Sequence, residues 1–233
     1  MININVLYLN LFKQVRKQPK LIIQMKKAVL LLSIILYAGI MGTTYAQTNR
    51  TLRHGFSINL IIGVPPANYG LHKDADVSDD SRIIFTSGIQ IGNRWYFGSS
   101  ERFKMGLMVN WFDITAGGRT NGDLTRAVID ISIIELGPIG TVAFSDAIAL
   151  DAYYNLRPTL FAHIWSYPAE DPTGYMGPGF SHAIGTAFRW KVLSIGLEYV
   201  IGNINCEYIN SDYDYSDQKL VGSNFRLMIG AKF

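Results

Sequence analysis

Apolar residues alternate with polar or small residues along most of the chain from position 55 onward. In the segment GFSINLIIGV, residues 55–64, every second residue from Phe56 to Val64 is apolar, and the other register begins with Ser57 and Asn59. A period of two is typical of β-strands, because successive side chains point to opposite faces of a sheet. The pattern therefore predicts a strand of about 10 residues.

Seven further segments alternate in the same way, so that the predicted fold class is all-β. In the fourth predicted strand the alternation changes phase after Ile133, which indicates a β-bulge near Ile133 and Ile134. The seven segments are residues 82–97, 103–112, 127–144, 148–162, 180–190, 193–202 and 224–233.

The connections between the predicted strands alternate in length, with long ones after every odd strand and short ones after every even strand. This asymmetry is typical of transmembrane barrels, which carry short turns at one end and long loops at the other. Because unpaired backbone groups are not tolerated in hydrocarbon, the first and last strands are expected to pair. The pattern predicts an eight-stranded antiparallel up-and-down transmembrane β-barrel. The long connections are residues 65–81, 113–126, 163–179 and 203–219, and the short ones are 98–102, 145–147 and 191–192.

Aromatic residues occur near the ends of the predicted strands, where a membrane barrel carries its interfacial girdles. A soluble barrel of lipocalin type is the alternative, and it would carry charged residues along a solvent-facing register. Here that register holds mainly Gly, Ser, Thr and Asn with a limited set of charges, which favours a narrow lumen. The predicted girdle residues are Trp95, Tyr96, Phe97, Phe103, Trp111, Phe112, Tyr154, Phe180, Phe188 and Trp190.

Residues 25–46 have the three parts of a secretory signal peptide. Lys26 and Lys27 form the basic start, a short apolar run follows, and small residues precede a predicted cleavage site after Ala46. An N-terminal membrane anchor is the alternative, but it would need a longer apolar run. The segment therefore predicts export.

Met25 heads a complete signal peptide, so residues 1–24 are interpreted as a mis-annotated upstream extension and residues 47–233 as the barrel domain. Residues 1–46 contain six Lys or Arg and no Asp or Glu, so their removal changes the formal charge from +3 to −3. The basic composition of the full chain therefore gives no indication of nucleic-acid binding.

Three features carry a resemblance to a known family: the signal peptide, the strand SIGLEYVIG at 194–202 and the terminal stretch FRLMIGAKF at 225–233. With them, the mature chain resembles the small outer-membrane β-barrel proteins of Gram-negative bacteria, especially the barrel-domain proteins of Bacteroidota, and the OmpX and OmpA barrels in architecture. The resemblance implies an outer-membrane location, contact with membrane lipid and lipopolysaccharide, and handling by the barrel-assembly machinery. It implies function poorly, because this fold carries many unrelated activities.

The inward register of the predicted barrel collects charges of both signs. The interior of an eight-stranded barrel is just wide enough to be filled by side chains, so these charges are expected to pair and plug the lumen. A narrow path for ions or small solutes along the same network is the alternative. The predicted lumen charge network is Arg94, Lys104, Asp130, Glu135, Asp151, Arg157, Arg189, Glu198, Arg226 and Lys232.

The sequence contains no arrangement with the expected geometry of a catalytic site. Ser181 and His182 are adjacent in a predicted strand, so their side chains are expected on opposite faces. His163 lies near Ser166, but no acid is placed to orient it. We therefore predict no catalytic residues and no enzymatic activity, with an outer-membrane lipid-modifying enzyme as an alternative.

The first and last long connections hold acidic and aromatic clusters that lack the glycine and spacing of an EF-hand loop. We predict no metal site, no cofactor and no nucleic-acid partner, since no motif for any of them occurs. Tyr, Asp and Ser do suit contact with an extracellular protein or ligand, and Cys206 is expected in the last connection. The predicted function is that of an outer-membrane barrel with a plugged lumen and a structural or surface-interaction role through long extracellular loops.

The chain ends within its last alternating segment, whose outward register finishes on an aromatic residue. In the resembled family such a strand is the signal read by the assembly machinery. The predicted assembly-signal residues are Phe225, Leu227, Ile229, Ala231 and Phe233.

Deletion of Phe233 is expected to impair insertion into the outer membrane while export continues, because the assembly signal is shortened and the signal peptide is intact. The amounts of protein in the outer-membrane and periplasmic fractions measure the two steps separately. Normal outer-membrane levels of the deletion variant would contradict the assignment.

Overall fold

The computed structural model describes residues 50–73, 75, 82–168, 171–209 and 217–233. The predicted signal peptide at 25–46 and the upstream extension at 1–24 lie outside the described residues. So do most members of the two acidic clusters, namely Asp74, Asp76, Asp79, Asp80, Asp212, Tyr213, Asp214 and Tyr215.

Within the described residues, a short 3₁₀-helix at Arg50–Leu52 precedes ten strands. No helix in the described part of the chain is long and apolar enough to cross a bilayer. The strands are β1 (Gly55–Val64), β2 (Thr86–Phe97), β3 (Phe103–Asn121), β4 (Leu124–Ala143), β5 (Ile148–Ser166), β6 (Thr173–Trp190), β7 (Leu193–Ile201), β8 (Asn203–Tyr208), β9 (Gln218–Val221) and β10 (Asn224–Lys232).

The strands form a closed barrel with eight strand positions. β7 and β8 share one position and are interrupted at Gly202, and β9 and β10 share another and are interrupted at 222–223. The hydrogen-bonded order is β5-β4-β3-β2-β1-β10-β7-β6, and β5 pairs with β6 to complete the ring. Each of these pairings is antiparallel. The prediction of a closed, eight-stranded antiparallel barrel is confirmed.

Two β-bulges shift the alternation. The predicted bulge in β4 is confirmed, because the register with β5 shifts between Ser132 and Leu136 and Ile134 has a φ of 61°. A second shift lies between β2 and β3, where Ile91 pairs with Phe112 but the next residue of β2, Gly92, pairs with Asn110. Trp111 is the extra residue of β3, with no partner in β2. It reverses the faces of the residues that follow, so Asp113 points into the lumen.

The strands differ greatly in length. β3 to β6 contain 19, 20, 19 and 18 residues, whereas β1 and β2 contain 10 and 12. The predicted long connections 113–126 and 163–179 are corrected accordingly, since most of their residues extend the strands on both sides. Their Gly, Thr and polar residues conceal the strand pattern. In each connection, however, the end of one strand pairs with the start of the next, β3 with β4 and β5 with β6, and this pairing satisfies the backbone groups. The end that carries these extensions is called the loop end, and the opposite end is called the turn end.

The outer surface of the barrel is an apolar belt. Leu60 in β1 and Ile229 in β10 expose 63% and 50% of their surface, and outward residues of the other strands are similarly apolar. A belt that encircles the molecule far exceeds the apolar patches of a few hundred Å² found on soluble proteins, so these strands span a lipid bilayer. Exposed aromatic residues occur at Phe97, Phe103, Phe144, Phe180, Phe188, Trp190 and Phe233.

Tyr96 is a corrected member of the predicted girdle. Its side chain points into the lumen and is only 1% exposed. The physical reason is register: position 96 shares the inward face of β2 with Arg94, and Trp95 and Phe97 take the outward positions.

Residues 65–73, directly after β1, fold back over the lumen at the loop end. Gly70 N–H donates to Val221 O at 2.8 Å, and Val221 N–H donates to Leu71 O at 2.9 Å. These bonds place Tyr69 in the lumen, where its ring meets the Phe161 ring edge-on with centroids 5.6 Å apart. The resulting cluster, here called the loop-end core, contains Tyr69, Ile83, Val128, Phe161, Ile204, Cys206 and Leu220.

Cys206 is therefore not on an exposed connection. It lies in β8 with a fully buried side chain, because β8 extends the seventh barrel position and directs alternate residues inward. The expectation that it sits in the last loop is wrong.

Candidate functional site

The structure places all ten charged residues of the predicted lumen network inside the barrel. None of them exposes more than 7% of its surface. Most belong to two groups. The central cluster consists of Arg157, Arg226, Asp130, Glu135 and Glu198 together with Asp113, and the turn-end cluster consists of Arg94, Arg189 and Asp151.

Arg226 connects the carboxylates of three strands across the lumen. Its Nη1 lies 2.9 Å from Asp113 Oδ2 and 3.2 Å from Glu198 Oε1. Its Nη2 lies 3.1 Å from Asp130 Oδ2 and also donates to Thr115 Oγ1 at 3.2 Å. One guanidinium from β10 is thereby bound to β3, β4 and β7, which is the multidentate geometry that suits arginine.

Arg157 from β5 contacts two of the same carboxylates and, in place of Glu198, Glu135. Its Nε donates to Glu135 Oε1 at 2.5 Å, and its Nη1 donates to Ser181 Oγ at 3.2 Å. Its two terminal nitrogens also lie 3.4 Å from Asp113 and 3.6 Å from Asp130. Both aspartates are thus shared between the two arginines.

The central cluster contains four carboxyl groups and two guanidinium groups. Neutral side chains stabilise the excess of carboxylates by donating hydrogen bonds: Asn110 Nδ2 to Glu135 at 2.6 Å and Tyr153 Oη to Glu198 at 3.0 Å. Gln90 Nε2 donates to Asp113 at 3.1 Å. Buried like charges repel and are costly to desolvate, so this cluster depends on both arginines and on every donor around it.

The turn-end cluster has the opposite balance. Arg94 Nη1 lies 2.5 Å from Asp151 Oδ2, and Arg189 holds both oxygens of the same carboxylate at 2.8 and 2.9 Å. Thr141 Oγ1 donates to Asp151 Oδ1 at 2.7 Å, and Arg189 Nη1 donates to the backbone oxygen of Thr51 at 2.8 Å. Two guanidinium groups therefore share one carboxylate.

An apolar layer of Ile61, Met108, Ile139 and Met228 packs with Tyr96 and Tyr153 inside the barrel. These inward positions are filled by large apolar side chains where the sequence pattern leads one to expect small polar ones. These residues interrupt an otherwise polar register, so alternation alone does not identify them as lumen residues.

Lys104 and Lys232 belong to neither cluster. Both are buried near the turn end, and neither is paired with a carboxylate in the described part of the protein. Lys232 Nζ instead donates to the backbone oxygen of Arg53 at 2.7 Å and lies 5.3 Å from the centroid of the Tyr96 ring.

Asp113 is the important lumen residue that sequence reasoning missed. The alternation assigned it to a connection, whereas the bulge in β3 turns it inward between the two central arginines. The continuing alternation of Phe112 and Ile114 with Asp113 and Thr115 is the sequence signal that could have revealed it. Tyr69 was missed as well, because a residue in an irregular segment carries no periodic signal.

The predicted assembly-signal residues lie on the outer face of β10 and at residue 233. β10 pairs with β1 on one side and with β7 on the other, so this strand completes the ring. Their side chains contribute to the apolar belt, and they are Phe225, Leu227, Ile229, Ala231 and Phe233.

The two histidine–serine pairs considered from sequence are separated in the fold. Ser181 faces the lumen, where it contacts Arg157, whereas the imidazole of His182 accepts or donates a 2.6 Å hydrogen bond with Tyr154 Oη on the outer face. His163 points inward and accepts a hydrogen bond from Arg126 Nε at 3.2 Å. Among the described residues, no group of three or more His, Cys, Asp or Glu has an arrangement that could hold a metal ion.

A cleft of about 390 Å³ opens at the loop end. Trp165 forms its aromatic wall, with the Tyr175 ring 5.6 Å and the His163 ring 5.2 Å from its centroid. Tyr167 is 45% exposed beside it, and Arg126 and His72 contribute polar atoms to the lining. A volume of this size, with ring faces and a few polar groups, is typical of small-ligand sites.

The sequence matches no protein-family model and no curated protein. Solved structures with similarity include Ail, the attachment invasion locus protein of Yersinia pestis, with 12% identity over 77% of this chain and 97% of that chain and a TM-score of 0.46. The same protein in a complex with the heparin analogue sucrose octasulfate has a TM-score of 0.45 at the same identity and coverage. The outer membrane protease OmpT of Escherichia coli has 6% identity over 77% of this chain and 94% of that chain, with a TM-score of 0.39.

Ail and OmpT are both outer-membrane proteins, but identities of 12% or less reach no further than the fold. The class of this protein, a closed eight-stranded transmembrane barrel, therefore rests on its own strand pairing and apolar belt. The prediction that the chain is not an enzyme is corrected. One of the similar barrels is a protease, so this fold gives no ground for excluding enzymatic activity.

The charge balance of the central cluster predicts opposite responses to two substitutions. Replacing Arg157→Gln removes one of two cations that face four buried carboxyl groups, and should lower the free energy of unfolding by about 3–5 kcal/mol. Replacing Glu135→Gln removes excess negative charge, and Asn110 can rotate its amide to accept from the new side chain. The cost should stay within about 1 kcal/mol. Urea unfolding of the protein in lipid vesicles measures both values.

Arg102→Gln is the matched control, because Arg102 is exposed in a turn and loses the same charge. An equal loss of stability in the Glu135 and Arg157 variants would show that the excess of carboxylates does not govern the cluster.

Proposed function

We propose that this chain is a non-conducting outer-membrane barrel that acts at the cell surface through its loop end. The observation that carries the proposal is the filling of the lumen by two successive side-chain barriers. The central cluster extends across the middle, from Arg226 in β10 to Asp113 in β3. The loop-end core, with Tyr69 against Phe161, lies between this cluster and the loop end.

A channel needs a path in which an ion is bound weakly enough to leave. The carboxylates of the central cluster are instead engaged by guanidinium groups at 2.5 to 3.6 Å. An ion would have to break these contacts and then displace an apolar core. The charges therefore favour a structural plug over a conduction path.

The proposed location is the outer membrane of a Gram-negative bacterium. The apolar belt and the short turns at one end support this location. Export would use the signal peptide at 25–46, and translation would begin at Met25. Membership of the Bacteroidota barrel proteins, recognition of β10 by the barrel-assembly machinery, and contact with lipopolysaccharide belong to the same proposal.

The cleft at the loop end is the proposed site of surface contact. Trp165 and Tyr175 offer rigid ring faces, and Arg126 and His163 form a polar floor. Aromatic faces beside hydrogen-bonding groups are suited to saccharide rings, which are apolar on their faces and polar at their edges. Glycans of the cell envelope or of a host surface are the class of ligand that this arrangement fits.

The sealed lumen predicts the absence of a conductance. Refolded residues 47–233 should give no steady single-channel current in a planar bilayer, because the central cluster and the loop-end core both block the path. A variant with residues 66–72 replaced by a glycine–serine linker should also remain closed, since the central cluster is intact. Steady current through the unmodified barrel would favour the channel alternative and overturn the plugged lumen.

The cleft predicts a role for Trp165 in glycan binding. Trp165→Ala should weaken binding about tenfold, which corresponds to about 1.4 kcal/mol of lost stacking and contact. A glycan array that includes lipopolysaccharide core oligosaccharides identifies the bound sugar, and titration of intrinsic fluorescence gives its affinity. Trp190→Ala, at the turn end, is the control and should bind normally. Binding of no glycan, or equal binding by the two variants, would remove the assignment.

A further inference from the structure

A second cavity, of about 350 Å³, opens at the turn end of the barrel. It lies between the residues that precede β1, the turn that joins β6 to β7, and the end of β10. No carboxylate side chain is among the described residues that line it, and five of its lining residues carry basic side chains. They are Arg53, His54, Arg189, Lys191 and Lys232.

Lys232 is the most deeply buried ammonium group of this cavity, with 7% of its surface exposed. Its Nζ donates one hydrogen bond, to the backbone oxygen of Arg53 at 2.7 Å. An ammonium group has three donors, so two are left for another acceptor. The ring of Tyr96, 5.3 Å away, holds the side chain in place without neutralising it.

His54 presents a second donor to the cavity. Its Nδ1 accepts a hydrogen bond from Tyr96 N–H at 2.9 Å, so that the neutral ring carries its proton on Nε2. Nε2 is buried and has no hydrogen-bond partner among the described residues. Burial, and then the positive charges of Lys104 and Lys232, lower the pKa of His54 and so favour the neutral ring.

No side-chain carboxylate of the described residues forms an ion pair with Lys232 or Lys104. Asp151 is already engaged by both Arg94 and Arg189. Lys104 is 6% exposed and has no ion pair in the described structure. Buried ammonium groups without a counter-charge are costly, and a bound anion would offset that cost.

We propose that the turn-end cavity binds a phosphate group. The oxygens of a phosphate can accept from Lys232 Nζ and from His54 Nε2–H together, while Arg53 and Lys191 add positive charge at the edge. A tetrahedral oxyanion offers several acceptors to such converging donors.

The phosphate could belong to a membrane phospholipid or to a soluble molecule. Trp190, Leu193 and Phe233 are exposed beside the cavity, which places its opening at the depth of lipid headgroups. Lys191 Nζ also lies 5.9 Å from the centroid of the Trp190 ring, at the boundary between cavity and lipid. An anionic phospholipid headgroup therefore has a direct route to the site.

Two measurements on refolded residues 47–233 test the site and separate these sources. Phosphorus NMR in an uncharged detergent detects inorganic phosphate bound to the protein. Native mass spectrometry after mixing with equal amounts of phosphatidylglycerol and phosphatidylcholine detects retained lipid. We expect selective retention of phosphatidylglycerol, binding of inorganic phosphate, or both. Lipid retention alone identifies a headgroup site, and phosphate binding alone identifies a soluble anion.

Lys232→Gln should weaken the observed binding at least about fivefold, because it removes the buried positive charge and shortens the side chain that carries the donor. Lys191→Asn should weaken the binding about twofold. This variant provides the test if the Lys232 variant fails to fold. Asn tolerates the positive φ of 54° at this position. Lys219→Gln, which removes an exposed lysine at the loop end, should bind as the unmodified protein does. Absence of both phosphate binding and phosphatidylglycerol selectivity, or equal loss in the Lys219 control, would overturn the proposal.

Discussion

The strand register of this barrel depends on one buried ion cluster, in which two guanidinium groups are shared among four carboxyl groups. Arg226 from β10 and Arg157 from β5 bind carboxylates that come from β3, β4 and β7. Such groups are tolerated in a lumen only when they are paired, so a slip of one residue in any of these strands would leave a charge facing lipid. The cluster therefore fixes the register of five strands at once.

The lumen is organised in layers along the barrel axis. Net positive charge occupies the turn end, with two arginines on Asp151 and the two unpaired lysines. An apolar layer follows, then the carboxylate-rich central cluster, and then the loop-end core. The positive and negative layers attract each other across a short apolar gap. This separation also explains why the turn end is the part of the lumen that can accept a further anion.

Strand number, closure and the β4 bulge could be predicted because they follow from alternation, which is a local property of the chain. Asp113 was missed, because a single extra residue in β3 reverses which face it occupies and its alternation was assigned to a connection. Tyr96 was assigned to the surface from its aromatic character, although its register places it inside. Tyr69 and Cys206 depend on how an irregular segment and a strand extension meet in space. The ion-pair partner of each lumen charge could not be predicted either, because the partners lie on strands that are distant in the sequence.

The unequal strand lengths give the barrel a slanted rim. β3 to β6 are six to ten residues longer than β1 and β2, which at about 3.3 Å per residue makes them roughly 20–33 Å longer. Residues 65–73 fill the low side, and the aromatic residues of β5 and β6 stand on the inner slope of the high side. A large molecule can therefore approach sideways, parallel to the membrane plane. Under the proposed surface function, a long polymer would contact this wall from the side and would not need to thread an end into the barrel.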